Sequence, residues 1–272
     1  MGLSLRTPIE MTPPRIASLV PSITELLVAL GLLDHLVART GFCIHPRESL
    51  QSVPKIGGTK DVNLPKLRLL APTHVIVNVD ENRRETVDAI RAWGEGDGGP
   101  APQIVVTHPQ GPTDNLALIE QMVAHFGAVN GVPERAAVIC RSLEEELALT
   151  QPAGLDPQLV LYLIWREPWM TVARDTYLSR MLARIGWYTL PDLTGGRTGA
   201  ARYPQVNGDE PWLAAVQQVL LSSEPYSFDA SHVASARALC PHARVRLVDG
   251  EMLSWYGVRA IEGLRYLRNL QI

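Results

Sequence analysis

The segment that decides the fold is residues 133–150, PERAAVICRSLEEELALT, which contains no glycine and no proline after Pro133. Its apolar residues recur at spacings of four, three and four, the pattern of one helical stripe: Ala136, Cys140, Leu143 and Leu147. Pro133 suits a first helical turn, and Pro152 ends the pattern. A helix of about 18 residues would extend about 27 Å. The pattern predicts a rigid link between two lobes, with an ordinary covering helix as the alternative.

Strand-like runs alternate with helical patterns on both sides of this segment. In the first half, β-branched runs predict strands over 15–20, 74–79 and 103–107, with a helix over 24–30. The second half repeats this order, with strands over 159–165, 216–221 and 245–248 and a helix over 177–185. Alternating strands and helices favour an α/β fold with parallel sheets.

The predicted fold class is therefore α/β, with two lobes of parallel sheet flanked by helices and joined by a single long backbone helix. The corresponding boundaries are an N-terminal extension over 1–14, a first lobe over 15–130, the linking helix over 131–152 and a second lobe over 153–272.

Composition and charge narrow the class of protein. The chain has 272 residues, of which 46% are hydrophobic, and its formal charge is −3, so no nucleic-acid partner is expected. Three cysteines cannot close an even disulfide framework, which favours a reducing compartment. The first thirty residues contain Pro8, Glu10, Pro13 and Pro14 where a secretory signal needs an apolar region, and no membrane span is expected. The sequence as written predicts a cytoplasmic protein, and a periplasmic one if the true start lies upstream.

The aromatic residues point to a binding surface. Six Trp and seven Tyr stand against three Phe, and Trp and Tyr are enriched where one side of the ring stays wet. Six of these thirteen Trp and Tyr residues fall just after predicted strands, in 165–169, 201–204, 222–226 and 249–257, and Phe42 lies in the similar stretch 41–46, whereas Trp93, Trp187 and Trp212 are interpreted as ordinary packing. Open α/β sheets bind ligands beyond the carboxyl ends of their strands. We therefore expect an aromatic-lined cleft between the lobes, suited to a large planar ligand such as a macrocycle.

Catalytic and metal-binding motifs give little support to an enzyme. The sequence has no G-x-G-x-x-G, G-x-x-x-x-G-K-[ST], G-x-S-x-G or H-E-x-x-H motif. Cys43 and His45 form the only short-range pair with metal-ligand chemistry, and two ligands do not make a site. No enzymatic activity is expected, although a metal site or an enzyme built around Cys43 and His45 in the same cleft is the alternative.

Several stretches resemble one protein family over nearly the whole chain from Arg15 onward. They are PRIASLVPSITELLVALGLLDHLV at 14–37, GFCIHP at 41–46, VPKIGG at 53–58 and LRLLAPTHVIV at 67–77, followed by LIWREPWMTV at 163–172, DTYLSRMLARIGW at 175–187, RYPQV at 202–206, LLSSEPYSF at 220–228 and VDGEMLSWYG at 248–257. These stretches resemble the helical-backbone (class III) substrate-binding proteins of ABC importers, in the cobalamin-receptor branch. The resemblance implies two α/β lobes joined by one long helix, a ligand in the cleft and a permease partner.

The resemblance also implies particular residues. Phe42, Trp169 and Tyr203 match aromatics that meet the corrin, and the polar and aromatic run over 249–256 matches another ligand contact. The sequence departs from the family at Lys60 and Asp61, where the receptor has a tryptophan. Family members dock on the permease with one acid per lobe. In this chain Asp209 or Glu210 fits the second lobe, but Pro65 occupies the position in the first.

The leading hypothesis is a non-enzymatic binding protein for a corrinoid or another metal chelate, with haem and a siderophore as open alternatives. Burial of the aromatic faces would supply the affinity for the ligand. Polar groups at the rim of the cleft, including Arg202, would orient it. The predicted ligand-binding residues are Phe42, His45, Lys60, Trp165, Arg166, Trp169, Tyr203, Glu224, Tyr226, Trp255, Tyr256 and Arg259.

Overall fold

The computed structural model describes residues 12–95, 100–152, 154 and 156–270. The strands are β1 (Ile16–Ser18), β2 (Leu36–Arg39), β3 (His74–Asn78), β4 (Gln103–Thr107), β5 (Gln158–Leu163), β6 (Trp169–Met170), β7 (Trp187–Thr189), β8 (Gln205–Val206), β9 (Gln218–Ser222) and β10 (Arg244–Val248). The helices are α1 (Pro21–Ala29), α2 (Leu64–Leu69), α3 (Arg84–Arg91), α4 (Asp114–Phe126), α5 (Val132–Leu149), α6 (Tyr177–Ala183), α7 (Val233–Leu239), α8 (Gly250–Ser254) and α9 (Arg259–Leu270).

Two four-stranded sheets carry the fold, one in each half of the chain. The first has the order β2-β1-β3-β4 and the second has the order β10-β9-β5-β7, and every pairing within them is parallel. Read from the opposite edge, the second order is β7-β5-β9-β10, which repeats the first. The predicted α/β class and the predicted repeat are both confirmed.

The central strands of each sheet are buried on both faces, as is usual in parallel sheets. In β1, Ile16 packs into a core layer shared with α1, and its neighbour Ala17 packs on the opposite face with residues of α2 and α3. In β5, Tyr162 and Leu161 divide in the same way between the two faces of the second sheet. Successive residues of a strand point to opposite faces of the sheet. A strand that is buried on both faces therefore has an unbroken run of apolar residues.

Helix α5 runs over Val132–Leu149, shifted by one residue from the segment 133–150 that predicted it, and its 18 residues connect the two sheets. Gly131 precedes it with a positive φ of 82°, a conformation that glycine adopts without a Cβ penalty. The buried side chains of the helix include Ala136, Leu143 and Leu147, three of the four residues of the predicted stripe. The exact lobe boundaries stay a prediction.

One hydrophobic core runs continuously from the first lobe to the second. It contains Ile16 and Ile76 of the first sheet, Leu143 of α5, and Val160 and Leu220 of the second sheet. Because well-packed apolar side chains resist rearrangement, this shared core couples the lobes rigidly at the side where α5 lies.

Three local predictions need correction. The strand predicted over 159–165 ends at Leu163, because Trp165 leaves the sheet and pairs with Met170 across a turn. The first helix begins at Pro21 rather than at residue 24, since proline fits the first turn of a helix. The short edge strands β2 and β7 were not predicted; each has only three or four residues, too few to show a period.

The close contact between α8 and α9 requires a glycine at position 263. A Cβ added there would lie 2.2 Å from the carbonyl oxygen of Met252. Gly263→Ala is therefore expected to lower the free energy of unfolding by roughly 2 kcal/mol, despite the better helix propensity of alanine. Urea denaturation measures this. Gly41→Ala is the control, because the nearest atom to its added Cβ is 3.6 Å away; equal stability of the two variants would contradict the prediction.

Candidate functional site

The candidate site lies where the carboxyl ends of the two sheets meet. Residues that follow β3 contact residues of the second lobe directly: Tyr256 O–H donates to Glu81 Oε1 at 2.5 Å, and Arg202 Nη2 lies 3.3 Å from Asp80 Oδ2. In both sheets the chain connections reverse direction between the two central strands. Such switch points leave a crevice at the carboxyl ends of strands, which is the usual ligand position in open α/β sheets.

The turn after β3 is held rigidly by two asparagine side chains. Asn78 Oδ1 accepts the backbone N–H groups of Asp80 and Glu81 at 2.8 and 3.3 Å. Asn82 Nδ2 donates to the carbonyl oxygens of Leu19 and Thr59, at 3.2 and 3.0 Å. Asparagine commonly forms such local turns, and here it fixes two adjacent carboxylates at the interlobe boundary.

Burial changes the acidity of the carboxylates at this boundary. It raises the pKa of Glu81 from 4.5 to about 7, although the hydrogen bond from Tyr256 opposes the shift, and the carboxylate of Glu224 adds to it. Burial also raises the pKa of Glu224, which accepts hydrogen bonds from Ser254 Oγ at 2.7 Å and Trp255 Nε1 at 2.8 Å. Two carboxyl groups, one from each lobe, thus share a poorly solvated region.

Arg202 is fully buried between the lobes rather than placed at a rim. Its guanidinium lies between Asp80 of the first lobe and Asp175 of the second, with Nη1 3.9 Å from Asp175 Oδ2. The same Nη1 donates to the carbonyl oxygen of Gly196 at 2.7 Å. Its predicted role in orienting a ligand at the rim is wrong for this reason; Arg202 instead ties the two lobes together.

A second set of contacts connects the loop after β2, and helix α1, to the second lobe. His45 Nε2 lies 2.9 Å from Glu251 Oε2, and the His45 ring meets the Trp255 ring edge-on with centroids 5.4 Å apart. Arg259 forms a bidentate pair with Glu25 of α1, at 2.7 and 2.8 Å. The His45 side chain is thus already engaged by a carboxylate and an indole.

Two aromatic side chains remain exposed at strand ends, one in each lobe. Phe42, which follows β2, is 62% exposed, and Trp165, which follows β5, is 41% exposed. Trp165 meets the ring of Tyr226 edge-on at 5.6 Å, and the Arg166 guanidinium lies 5.6 Å from the centre of the Trp169 ring. Large exposed aromatic faces at such positions are available to a flat ligand.

The remaining predicted residues differ in how far they are buried. Trp255, Tyr256 and Arg259 are engaged in interlobe contacts, and Trp255 and Tyr256 are buried. Lys60 is exposed and donates from Nζ to the carbonyl oxygen of Asp80 at 2.7 Å. Tyr203, Trp169, Tyr226 and Glu224 are half-buried.

The pair Cys43 and His45 does not come together as a metal site or a nucleophile. The Cys43 thiol is buried against Thr40 Oγ1 at 3.2 Å, and burial raises its pKa, so the thiolate is disfavoured. Across the described ranges, no three His, Cys, Asp or Glu side chains are grouped closely enough to hold a metal ion. The alternative built on this pair has no support in the geometry.

The predicted docking residues lie on the surface. Asp209 is exposed, and the Glu210 carboxylate accepts the backbone N–H groups of Asn207 and Gly208 at 2.7 and 2.9 Å. Pro65, in the first turn of α2, lines a surface depression of about 710 Å³ together with Lys60 and Arg83. Neither observation tests docking, which stays a prediction.

Sequence reasoning missed Asp80, Glu81 and Glu25 as site residues. The signal for the first two was present: the polar run Asn78-Val79-Asp80-Glu81-Asn82 directly follows a buried strand. The predicted site was based on aromatic residues and therefore did not include this run. Glu25 gave no signal, because its partner Arg259 lies 234 residues away along the chain.

Comparison with curated proteins finds vitamin B12-binding proteins and a substrate-binding lipoprotein of an ABC transporter. The chain is 25% identical over 219 residues to a vitamin B12-binding protein of Vibrio cholerae, covering 80% of this chain and 71% of that protein. It is 24% identical over 276 residues to an uncharacterised ABC transporter substrate-binding lipoprotein of Bacillus subtilis, covering 95% and 80%. No protein-family model matches the chain.

Solved structures share the fold. A periplasmic vitamin B12-binding protein of Vibrio cholerae superimposes with a TM-score of 0.74 at 19% identity, covering 95% of this chain and 98% of that one. A periplasmic haem-binding protein of the same organism gives a TM-score of 0.74 at 20% identity with the same coverage. The resemblance to class III substrate-binding proteins is confirmed, and the names of these relatives describe binding proteins rather than enzymes.

The prediction of a cytoplasmic location is wrong. The relatives just described are a lipoprotein and periplasmic proteins, which points outside the cytoplasm. The prediction used the first residues of the printed sequence, and 1–11 lie outside the described ranges, as does most of the predicted extension over 1–14. Among the described helices, none is both long and apolar enough to cross a bilayer.

Proposed function

We propose that this protein is an extracytoplasmic substrate-binding protein that holds a corrinoid or another metal chelate in the cleft between its lobes. The observation that carries the proposal is the pair of exposed aromatic faces, Phe42 and Trp165, at strand ends of separate lobes. A ligand between the lobes would cover both faces and gain free energy from their burial.

Polar groups near these faces support a ligand with a functionalised edge. The Arg166 guanidinium lies against the Trp169 ring, and Tyr226, which carries a hydroxyl group, contacts the Trp165 ring. Lys60 adds an exposed positive charge in the first lobe. A flat apolar body with polar substituents matches both kinds of group, as ligand clefts usually do. Corrinoids, haem and some siderophore chelates all have this character.

Two features support service to an importer. The relatives named above include an ABC transporter substrate-binding lipoprotein and a vitamin B12-binding protein, and the chain shares the fold of a solved vitamin B12-binding protein. Asp209 and Glu210 provide acidic groups on the surface of the second lobe, where a basic permease surface would pair with them. Pro65 leaves the first lobe without the equivalent acid, so we infer that docking relies more on the second lobe.

Titration of the purified protein tests the ligand class. Cobalamin, cobinamide, haem and a ferric siderophore are added separately while tryptophan fluorescence and heat release are recorded. We expect at least one chelate to quench fluorescence and release heat with a dissociation constant of about 1 µM or lower, equivalent to about 8 kcal/mol of binding free energy.

N-acetyltryptophanamide serves as the control for optical absorption by the coloured chelates. Quenching of the protein beyond that control, with matching calorimetric stoichiometry, supports the proposal. The proposal fails if none of the four compounds releases heat or quenches beyond the control.

A further inference from the structure

Two half-buried glutamates, one from each lobe, lie where the lobes meet. Glu81 is in the turn after β3, and its Oε1 accepts a hydrogen bond from the Tyr256 hydroxyl at 2.5 Å. Glu224 follows β9, and its Oε1 accepts hydrogen bonds from Ser254 Oγ at 2.7 Å and Trp255 Nε1 at 2.8 Å. Burial raises the pKa of Glu81, and the negative charge of Glu224 adds to this shift, so the two carboxylates are close. Each Oε2 atom has no hydrogen bond to any residue that the structure describes.

The chain places each glutamate near the exposed aromatic face of its own lobe. Glu224 is two residues before Tyr226, whose ring meets that of Trp165 edge-on with centroids 5.6 Å apart. Glu81 follows β3, which pairs with β1, and β1 pairs in turn with β2, the strand that leads to Phe42. A ligand that covers both aromatic faces therefore brings its edge to the two carboxylates.

The neighbouring charged groups between the lobes are already paired. Arg202 lies 3.3 Å from Asp80, and Arg259 pairs with carboxylates of both lobes. Lys60 offsets part of the charge of Glu81, but its Nζ donates to the carbonyl oxygen of Asp80. Neither of the two glutamates forms an ion pair with a described lysine, arginine or histidine. Uncompensated carboxylates in a poorly solvated cleft repel further negative charge.

We propose that Glu81 and Glu224 determine specificity through the edge of the ligand: they favour a chelate whose edge carries N–H or O–H donors, such as primary amides, and repel one whose edge carries carboxylates. The proposal rests on the proposed function, because it assigns these residues a role in the same cleft. Donors at the ligand edge would bond to the free Oε2 atoms. An ionised carboxylate there would meet two negative charges with no cation between them. A corrinoid with amide substituents fits this cleft, and haem, whose propionates are ionised, does not.

Two forms of one macrocycle test this selection in the full chain. Dicyanocobinamide presents amides at its edge, and dicyanocobyrinic acid presents carboxylates on the same corrin ring. Both are titrated by calorimetry at about pH 8, above the pKa of Glu81. With an effective dielectric constant of about 20, a ligand carboxylate about 8 Å from one ionised glutamate loses roughly 30-fold in affinity. We expect the wild type to bind the amide form at least about 30-fold more tightly than the carboxylate form.

Glu81→Gln and Glu224→Gln each remove one charge and keep an oxygen that accepts the existing hydrogen bonds. Each is expected to strengthen binding of the carboxylate form by about tenfold or more, because one source of repulsion is lost. The dissociation constant of the amide form should change by less than about fivefold, since an acceptor oxygen remains. Glu85→Gln, which removes a charge at an exposed position of α3, is the matched control and should leave the ratio of the two affinities unchanged. Circular dichroism confirms that each variant is folded.

The outcomes separate this proposal from the proposed function. Equal affinity of the wild type for the two forms overturns the specificity proposal, as does a wild-type ratio of affinities in both glutamine variants. Binding of haem without binding of either corrin form also overturns it, and the proposed function then stands. If no chelate binds at all, the proposed function fails and the specificity proposal fails with it.

Discussion

Replacing Phe42 or Trp165 with alanine is expected to weaken chelate binding by roughly 30-fold for each substitution. Each side chain presents a large exposed face at a strand end. If the ligand covers about 80 Å² of each face, the lost burial is worth about 2 kcal/mol at ~25 cal/mol per Å², which is roughly 30-fold in affinity. Calorimetry is the suitable measurement, because Trp165→Ala also removes a fluorophore.

Leu69→Ala is the matched control for these two variants. Leu69 is an apolar residue of α2 that is 86% exposed, and it does not follow a strand end. Its replacement should leave the dissociation constant unchanged. Wild-type affinity in both Phe42→Ala and Trp165→Ala would place the ligand somewhere other than between these faces.

Removing the buried guanidinium of Arg202 is expected to have the largest effect on stability. In the folded protein the Arg202 guanidinium lies 3.3 Å from Asp80 and 3.9 Å from Asp175. Arg202→Ala leaves these two largely buried carboxylates without their cationic partner. Loss of one partner of a buried ion pair typically costs about 3–5 kcal/mol. We expect a decrease of this size in the free energy of unfolding, measured by urea denaturation near neutral pH.

Arg166→Ala is the comparison for Arg202→Ala. The Arg166 side chain pairs with Glu167 at 3.7 Å, and Glu167 is well exposed, so its loss should cost less than about 1 kcal/mol. Asp80→Asn combined with Arg202→Ala should recover part of the lost stability, because the uncompensated carboxylate is then removed. Similar losses in the two arginine variants would show that Arg202 contributes no more than a surface pair.

The fold was predictable because long buried elements leave strong patterns. The linking helix and the strands His74–Asn78 and Gln103–Thr107 were anticipated to within a few residues. The strand Leu36–Arg39 was not, because it is short and lies at a sheet edge. Short edge strands are specified by pairing with a neighbour, which a single stretch of sequence does not display.

The candidate site was predictable only in part. Aromatic residues after strands could be recognised by position, and two of them, Phe42 and Trp165, remain exposed. The distinction between these and the buried Trp255 depends on the partners that the fold brings to it, Glu224 of the same lobe and His45 of the first lobe. Such pairings join residues far apart in the chain, so local patterns carry no information on them. The strand order would have located Glu81, because it follows a central strand at the point where the connections reverse.

Helix α9 has a consequence for how this architecture can diversify. Although it closes the second half of the chain, its Arg259 grips Glu25 of α1, and its Arg265 and Arg268 both donate to Glu146 of α5. Helix α9 therefore forms ion pairs with the first half of the chain and with the linking helix, although it belongs to the second half. Recombination at the linking helix, which would exchange one lobe for that of a relative, separates Glu25 from Arg259 and leaves both charges unmatched. The halves repeat each other in topology, yet they are not interchangeable modules and must change together.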